Sequence, residues 1–386
     1  MRSKIKNLIK TIIYWIVDRL VFPSKKIQRD SLLLIRLDGI GDYVLFRDFI
    51  KVLKESPKYH DKKITILGNS AWKSVAKELD GEFIHHFIWL NKPKFSKSLL
   101  YRFIKLREIT SYGYEIIVSP VYSRDFFVSD AISKLVNAHI KIGSSSDLSN
   151  LTKWQRDRSD KYYDILIETD DRITFEFYRN REFFEKALGS ELTIEKPMIT
   201  LKVKKLNLSL PKNYAVIFIG GTDNSRRWGI EKFSKISSYI REELGFEIVI
   251  CGGITDRVDA AKFNKIFDEE YLDLVGKTSL IDFLHVLRNA KLLVSNETSA
   301  PHFAVALDLP SVYVISNGNH FGRFVPYPKD VFERYFPIYH SKIEQNLCFK
   351  EALIERYGHG SDLNIHDIPV QRVQDKMHTT VLNSGN

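Results

Sequence analysis

Short, unbroken apolar runs alternate with helix-patterned stretches in two successive series, which confines this chain to a small set of architectures. In the first series, strand-like runs recur at 32–37, 63–67, 83–90 and 115–119. Helical patterns fall between them near 42–55, 70–79, 97–109 and 125–137. The second series has strands predicted at 214–219, 246–251, 271–275, 291–295 and 311–316, with helices at 230–244, 256–268, 279–289 and 299–307. Continuous apolar runs are what strands buried on both faces show, and their alternation with helices predicts βαβ units and parallel sheets. The polar, charged stretch 144–171 reads as a loop or mobile segment, followed by a long helix at 172–188. Pro197, Pro211 and a lysine-rich stretch within 190–212 mark a domain boundary. A length of 386 residues suits two domains rather than one core. The expected layout is an N-terminal helix and linker at 1–29, one Rossmann-like domain at 30–195, a second at 212–340, and a less periodic tail at 341–386 with a loop at 359–362. No sequence repeat or low-complexity tract appears; the repetition is architectural.

Two strand-to-helix turns, one in each half, concentrate the chemistry. The first runs Leu32-Leu33-Leu34-Ile35-Arg36-Leu37-Asp38-Gly39-Ile40-Gly41-Asp42, the second Leu292-Leu293-Val294-Ser295-Asn296-Glu297-Thr298-Ser299-Ala300-Pro301-His302. Ligands of open α/β sheets bind beyond the carboxyl ends of strands, where helix N-termini present bare N–H groups. One turn per half predicts a cleft holding an anionic substrate against a carboxylate. In the first turn Gly39 and Gly41 permit a tight bend, and Asp42 opens the helix. The dinucleotide fingerprint fits poorly: the third glycine is missing, and the next strand ends Leu67-Gly68-Asn69 instead of in an acid for the ribose. Asp42 is then either a helix-capping residue or a base facing the cleft.

The second turn crowds Ser295, Asn296, Thr298 and Ser299 at a helix start, which suits a pyrophosphate. Glu297 would repel phosphate and better accepts a sugar or ribose hydroxyl. His302, one turn into the helix, reads locally as a satisfied, half-buried histidine. A third element, Gly220-Gly221-Thr222-Asp223-Asn224-Ser225-Arg226-Arg227-Trp228, follows a strand and delivers two arginines. These either pair with phosphate oxygens or form a solvated basic loop. A fourth, Cys251-Gly252-Gly253-Ile254-Thr255-Asp256, again ends a strand in small residues and an acid.

The composition, 44% hydrophobic and 27% charged, is that of a folded, water-soluble protein, but the net charge of +10 needs a partner or a location to explain it: nucleic acid, an anionic membrane surface or acidic small substrates. Residues 1–29 hold Arg2, Lys4, Lys6, Lys10, Arg19, Lys25, Lys26 and Arg29 against Asp18 alone. Ile5, Leu8, Ile9, Ile12, Ile13, Ile16 and Leu20 share a helical face there, with Tyr14 and Trp15 beside it. The apolar run is far shorter than the roughly 20 residues of a membrane span, and no cleavage site follows. The pattern is that of a basic amphipathic helix lying on an anionic leaflet, or else of a helix packing its stripe on the protein's own core. The two cysteines, Cys251 and Cys348, lie in no metal-ligand or disulfide spacing and fit a reducing cytoplasm. No Asp-x-Asp triplet for a divalent cation and no nucleic-acid-binding motif is present, so no metal and no nucleic-acid partner are expected.

Together these elements resemble glycosyltransferase family 9, the bacterial ADP-heptose:lipopolysaccharide heptosyltransferases and their relatives, over roughly residues 31–328. Ile35–Asp42, Gly220-Gly221-Thr222 with Arg226-Arg227-Trp228, Val294–His302 and Gly322–Tyr327 carry the resemblance in order and spacing. It implies a GT-B fold, two Rossmann-like domains with parallel sheets facing across a cleft. It also implies metal-independent, inverting transfer from a nucleotide-diphosphate sugar, possibly ADP-linked, with no separate cofactor. By the same resemblance Asp42 matches the general base, and Gly41, Thr222, Arg226, Asp256, Glu297, Thr298, Ser299 and His302 match donor-binding positions. Three positions depart from the family pattern: Arg226 stands for lysine, Glu297 for aspartate and Ser299 for glycine. The implied acceptor is a lipopolysaccharide or other lipid-linked glycan, and the implied location is the cytoplasmic face of the cell membrane. The alternative reading is a nucleotide-binding Rossmann-type protein, either a dehydrogenase or a catalytically silent binding module.

Overall fold

The computed structural model describes residues 2–204 and 206–384, with the backbone alone for 2–10 and 381–384. The chain forms two compact units. The first comprises the chain up to Asp171 together with Tyr178–Thr193, and the second comprises Arg172–Phe177 together with the chain from Ile194 onward.

Each unit is built on a six-stranded, all-parallel sheet. In the first, the strands are β1 (Ser31–Arg36), β2 (Lys63–Asn69), β3 (His86–Leu90), β4 (Tyr114–Ser119), β5 (Ala138–Ser144) and β6 (Ile165–Ile167), in the order β3-β2-β1-β4-β5-β6. In the second they are β7 (Tyr214–Phe218), β8 (Glu247–Cys251), β9 (Tyr271–Asp273), β10 (Leu292–Asn296), β11 (Val312–Ser316) and β12 (Tyr335–Tyr339), in the order β12-β11-β10-β7-β8-β9. The central strands are buried along their length, as the continuous apolar runs require. Both sheets reverse strand order once, between β1 and β4 and between β7 and β10. Those two reversals are the positions at which doubly wound sheets open to ligands.

Three departures from the sequence reading have physical causes. The helix expected over 42–55 is two helices, Ile40–Phe46 and Asp48–Glu55, which meet at Arg47. The Arg47 guanidinium is buried against Asp80 and Asp48, at 2.6 Å from each. The charged stretch 144–171 holds a helix, Lys153–Ser159, closed by a capping box between Thr152 and Gln155, and the short strand β6. The tail holds the helix Val370–Ser384, whose Val373 and Met377 enter the second unit's core beside Phe233, Ile236 and Ile240. The Trp228 indole N–H donates to the Ile368 carbonyl at 2.9 Å, which fastens the tail to that core.

The N-terminal helix, Arg2–Arg19, packs on the first unit through a narrow set of residues. Arg102 grips Asp18 with two parallel bonds of 2.7 Å and lies over the Tyr14 ring. Tyr14 donates to the Ser96 carbonyl and meets Phe127 edge-on. That docking leaves Ile12, Ile13, Trp15, Ile16 and Leu20 exposed, followed by Phe22 at 89% exposure. The helix is thus attached to its own unit and still presents an apolar side. Among the described residues no helix is long and apolar enough to cross a membrane.

Candidate active site

Within the second unit, the switch point of the sheet joins the glycine loop after β7 to the turn after β10. Asn296, fully buried at the end of β10, makes that junction. Its Oδ1 accepts from the Trp228 backbone N–H at 2.9 Å, and its Nδ2 donates to the carbonyls of Ile219 and Gly220 at 3.1 and 3.0 Å. One side chain therefore sets the spacing of the loops that carry Thr222, Arg226 and Glu297. An amide buried at a strand end needs partners for both its donor and its acceptor, and here the neighbouring loop supplies them.

The two adjacent arginines have different surroundings. Arg227 is held by Asp256 at 2.7 Å and Asp259 at 3.1 Å. Arg226 ends a short 3-10 turn, Asn224–Arg226, which Asp223 caps by accepting from the Ser225 N–H at 2.8 Å. Among the described residues the Arg226 guanidinium forms no ion pair, and its positive charge is felt at Glu297 and His320. Thr222 is exposed on the same loop. Asp256 faces inward: its Oδ2 accepts from the Gly253 N–H at 2.7 Å. A Cβ on Gly220 would stand 2.5 Å from that same oxygen, so glycine is what lets the two loops approach.

After β10 the chain turns through Thr298 into the helix Ser299–Ala306. Thr298 occupies the capping position in extended conformation, yet its hydroxyl makes no capping bond. The hydroxyls of Thr298 and Ser299 and the N–H groups of the first turn thus sit together at the positive end of the helix. Glu297, buried just before them, accepts a 2.6 Å bond from the Ser316 hydroxyl, which itself accepts from the Gly318 N–H. Burial raises the Glu297 carboxyl to about 7, against the opposing pull of the Ser316 bond and Arg226. His302 is buried behind the turn with its Nδ1 2.7 Å from the Tyr327 hydroxyl, and burial lowers its pKa to about 4. His302 is accordingly a neutral imidazole at pH 7.

These two shifts act oppositely on stability. An acid whose folded pKa is raised adds stability that is complete below its ordinary value of 4.5 and is lost as pH rises through about 7. The depressed His302 adds stability that is present above 6.5 and is lost as pH falls through about 4. We expect Glu297→Gln to remove the first effect only. The melting temperature of the wild type, measured relative to that variant, should fall between pH 5 and pH 8. The underlying slope is at most about 1.4 kcal/mol per pH unit. A wild-type-to-variant difference that does not change with pH would contradict the assignment.

Within the first unit, the turn after β1 is braced from beneath. The Asp38 carbonyl accepts from Trp72 Nε1 and Asn69 Nδ2, at 3.2 and 3.0 Å. Arg36, wholly buried, reaches Asp38 at 3.1 Å and donates to Asn180 Oδ1 at 3.0 Å, with its guanidinium over the Phe46 ring. Asp42, at the third position of the helix Ile40–Phe46, accepts from the Gly39 N–H at 3.2 Å in a capping-box geometry. Behind it, Tyr43 stacks on Trp72 and donates to buried Asp80. The capping bond holds the Asp42 carboxylate, itself half-exposed, at the end of the strand layer beside Gly41. Among the described residues no three His, Cys, Asp or Glu side chains converge as a metal site.

Residues 105–335 match the sequence profile of Glycosyltransferase family 9 (heptosyltransferase). No curated protein sequence matches significantly. Among solved structures, the fold is similar to a glycosyl transferase family 9 protein from Veillonella parvula DSM 2008, with a TM-score of 0.69 at 16% identity, covering 93% of this chain and 99% of that one. It is also similar to E. coli heptosyltransferase WaaC with ADP, with a TM-score of 0.66 at 15% identity over 90% and 99% of the two chains. For E. coli ADP-heptose lps heptosyltransferase II the TM-score is 0.59 at 15% identity, over 92% and 100%. At such identities the structural likeness establishes the fold, the two Rossmann-like units of GT-B proteins.

Proposed function

Since the chain belongs to glycosyltransferase family 9 and is a glycosyltransferase, we propose that it transfers heptose or a related sugar, with inversion and without a metal, from a nucleotide-diphosphate donor to a lipopolysaccharide or other lipid-linked glycan. The observation that carries this reading is the junction made by Asn296. It brings a glycine loop bearing an ion-pair-free arginine alongside a helix start with uncommitted hydroxyls, at the reversal of the second sheet. That combination suits a diphosphate: Arg226 supplies fixed positive charge, and Thr222, Thr298, Ser299 and the helix N-terminus supply donors. Glu297 is assigned to the sugar side with His302 supporting the turn from behind, and Asp256 contributes to the nucleoside side through the turn it shapes. The dehydrogenase and silent-module alternatives draw no support from the family or fold matches.

In the proposed reaction Asp42 accepts the proton of an acceptor hydroxyl. That oxygen forms a bond to the anomeric carbon while the bond from this carbon to the diphosphate oxygen breaks. The electron pair leaves on the diphosphate, where Arg226 and the helix N-terminus meet the developing charge. Attack opposite to the leaving group inverts the configuration. E. coli heptosyltransferase WaaC has been solved with ADP and with ADP-2-deoxy-2-fluoro heptose, which makes ADP the first nucleotide to test. A thermal-shift series with ADP, UDP, GDP and CDP is expected to show saturable stabilisation by one of them. No shift with any would count against the donor assignment.

The acceptor's lipid anchor places the work at the cytoplasmic face of the membrane, and the N-terminal helix is suited to lie there. Its basic sequence is joined to an apolar side that the docking through Tyr14 and Asp18 leaves exposed. Ile13→Glu/Ile16→Glu is expected to abolish sedimentation with phosphatidylglycerol vesicles and leave the fold intact, because both side chains are exposed. Undiminished sedimentation would refute this role.

A further inference from the structure

A cavity of about 740 Å³ lies within the first unit, between the N-terminal helix and the segments carrying Phe126, Ala131 and Trp154. Its walls are largely apolar, including Ile12, Val21, Phe127 and Leu135. Two tryptophans on it stay substantially in solvent, Trp15 at 51% and Trp154 at 57%. Three cations also line it: Arg19, which lies over the Trp15 ring, and Lys134 and Arg158, which flank Tyr162. None of the three forms an ion pair among the described residues, whereas Arg102 and Asp18 in the same wall satisfy each other. The glycosyl-transfer chemistry uses none of these groups.

We propose that this cavity binds a single anionic glycerophospholipid of the membrane, with acyl chain inside and headgroup phosphate on Arg19, Lys134 and Arg158. Largely apolar walls disfavour free phosphate or a nucleotide as the whole ligand, and three cations outside any ion pair among the described residues disfavour a neutral hydrocarbon. An amphiphile with one anionic end satisfies both. Exposed indoles are the side chains that settle at the water–hydrocarbon boundary, where such a molecule would enter. The bilayer is preferred over the glycan acceptor as the source because the cavity is continuous with the exposed apolar side of the N-terminal helix, through Ile12 and Trp15. A lipid held there would convert loose surface attraction into a defined orientation. This inference rests on the membrane-surface reading of that helix.

The test separates the two. Binding of dihexanoyl phosphatidylglycerol, kept below its micelle concentration so that no bilayer exists, is followed by calorimetry on the full chain. Sedimentation with phosphatidylglycerol vesicles is measured in parallel. We expect saturable one-to-one binding of the short lipid, with dihexanoyl phosphatidylcholine at least tenfold weaker. Ala131→Trp fills the cavity and should abolish short-lipid binding. Lys134→Glu/Arg158→Glu, at two exposed positions that do not threaten folding, should weaken it by about tenfold or more. Vesicle sedimentation without short-lipid binding would overturn the cavity assignment and leave the surface reading standing. Loss of both in the wild type would overturn both, and equal binding of the two headgroups would overturn the role of the three cations.

Discussion

Asp42→Asn is expected to lower turnover by about 10²–10⁴-fold, the usual contribution of a positioned general base, while nucleotide binding remains unchanged. The substitution is nearly isosteric. Its amide oxygen can still accept from the Gly39 N–H, so the capping geometry of the helix Ile40–Phe46 survives. What the amide cannot do is take a proton from the acceptor. Structural and catalytic roles are thereby separated: if Asp42 only closes the capping box, the Asp42→Asn variant should retain most of the activity, since the amide oxygen still accepts from the Gly39 N–H. Steady-state rates with saturating donor, set beside a melting curve and a calorimetric titration of the nucleotide, distinguish the cases. Near-normal turnover would remove Asp42 from the mechanism.

Arg226→Ala is expected to act on the other reactant. Loss of a preorganised charge at a leaving group typically costs about 10²–10³ in rate, and loss of a charged hydrogen bond to phosphate weakens binding by roughly tenfold to a hundredfold. Folding should change little, because Arg226 is partly exposed and in no ion pair among the described residues. Arg227→Ala provides the contrast. It breaks the bridges to Asp256 and Asp259, so its cost should appear chiefly as lost stability of the Gly220–Trp228 and Gly252–Asp256 turns. Removal of Arg226 should also let the Glu297 carboxyl titrate higher, since the arginine charge holds it down. Undiminished nucleotide affinity in Arg226→Ala would contradict the phosphate role.

The ordering of strands and helices was legible wherever burial was complete on both faces. Leu32–Leu37 and Leu292–Ser295 could be read as strands from composition alone. The elements that escaped were those whose pattern is diluted by polar or unusual residues. In β5, His139 and Ile140 are exposed, and its neighbour β6 spans three residues at the sheet edge. In β12, Pro337 argues against a strand, yet the strand lies at an edge, where a missing N–H is tolerated. The break at Arg47 depends on Asp80, far along the chain, and no local pattern reveals it.

The candidate site follows the same division. That the loops carrying the candidate residues follow strand ends was visible in the glycine, acid and hydroxyl clusters after β1, β7, β8 and β10. The brace by Asn296 was not, because all three of its bonds go to residues at 219–228, distant in sequence. Its one local signal is an amide that follows Ser295 at the end of the apolar run Leu292–Val294, where burial is costly without partners. Ser316 and Tyr327 likewise gain meaning only from Glu297 and His302, and the separation of Arg226 from Arg227 depends on Asp256 and Asp259.

Product stereochemistry decides whether this protein is an inverting glycosyltransferase. A nucleotide-diphosphate sugar of known anomeric configuration, chosen by the thermal-shift series, is incubated with the protein and a lipid-linked glycan acceptor, and the new linkage is read by proton NMR alongside nucleotide release. We expect one nucleoside diphosphate released per sugar transferred, with the opposite anomeric configuration in the product and turnover greatly reduced in Asp42→Asn. Retention of configuration, or release of free sugar with no transfer, would refute inverting transfer by this protein.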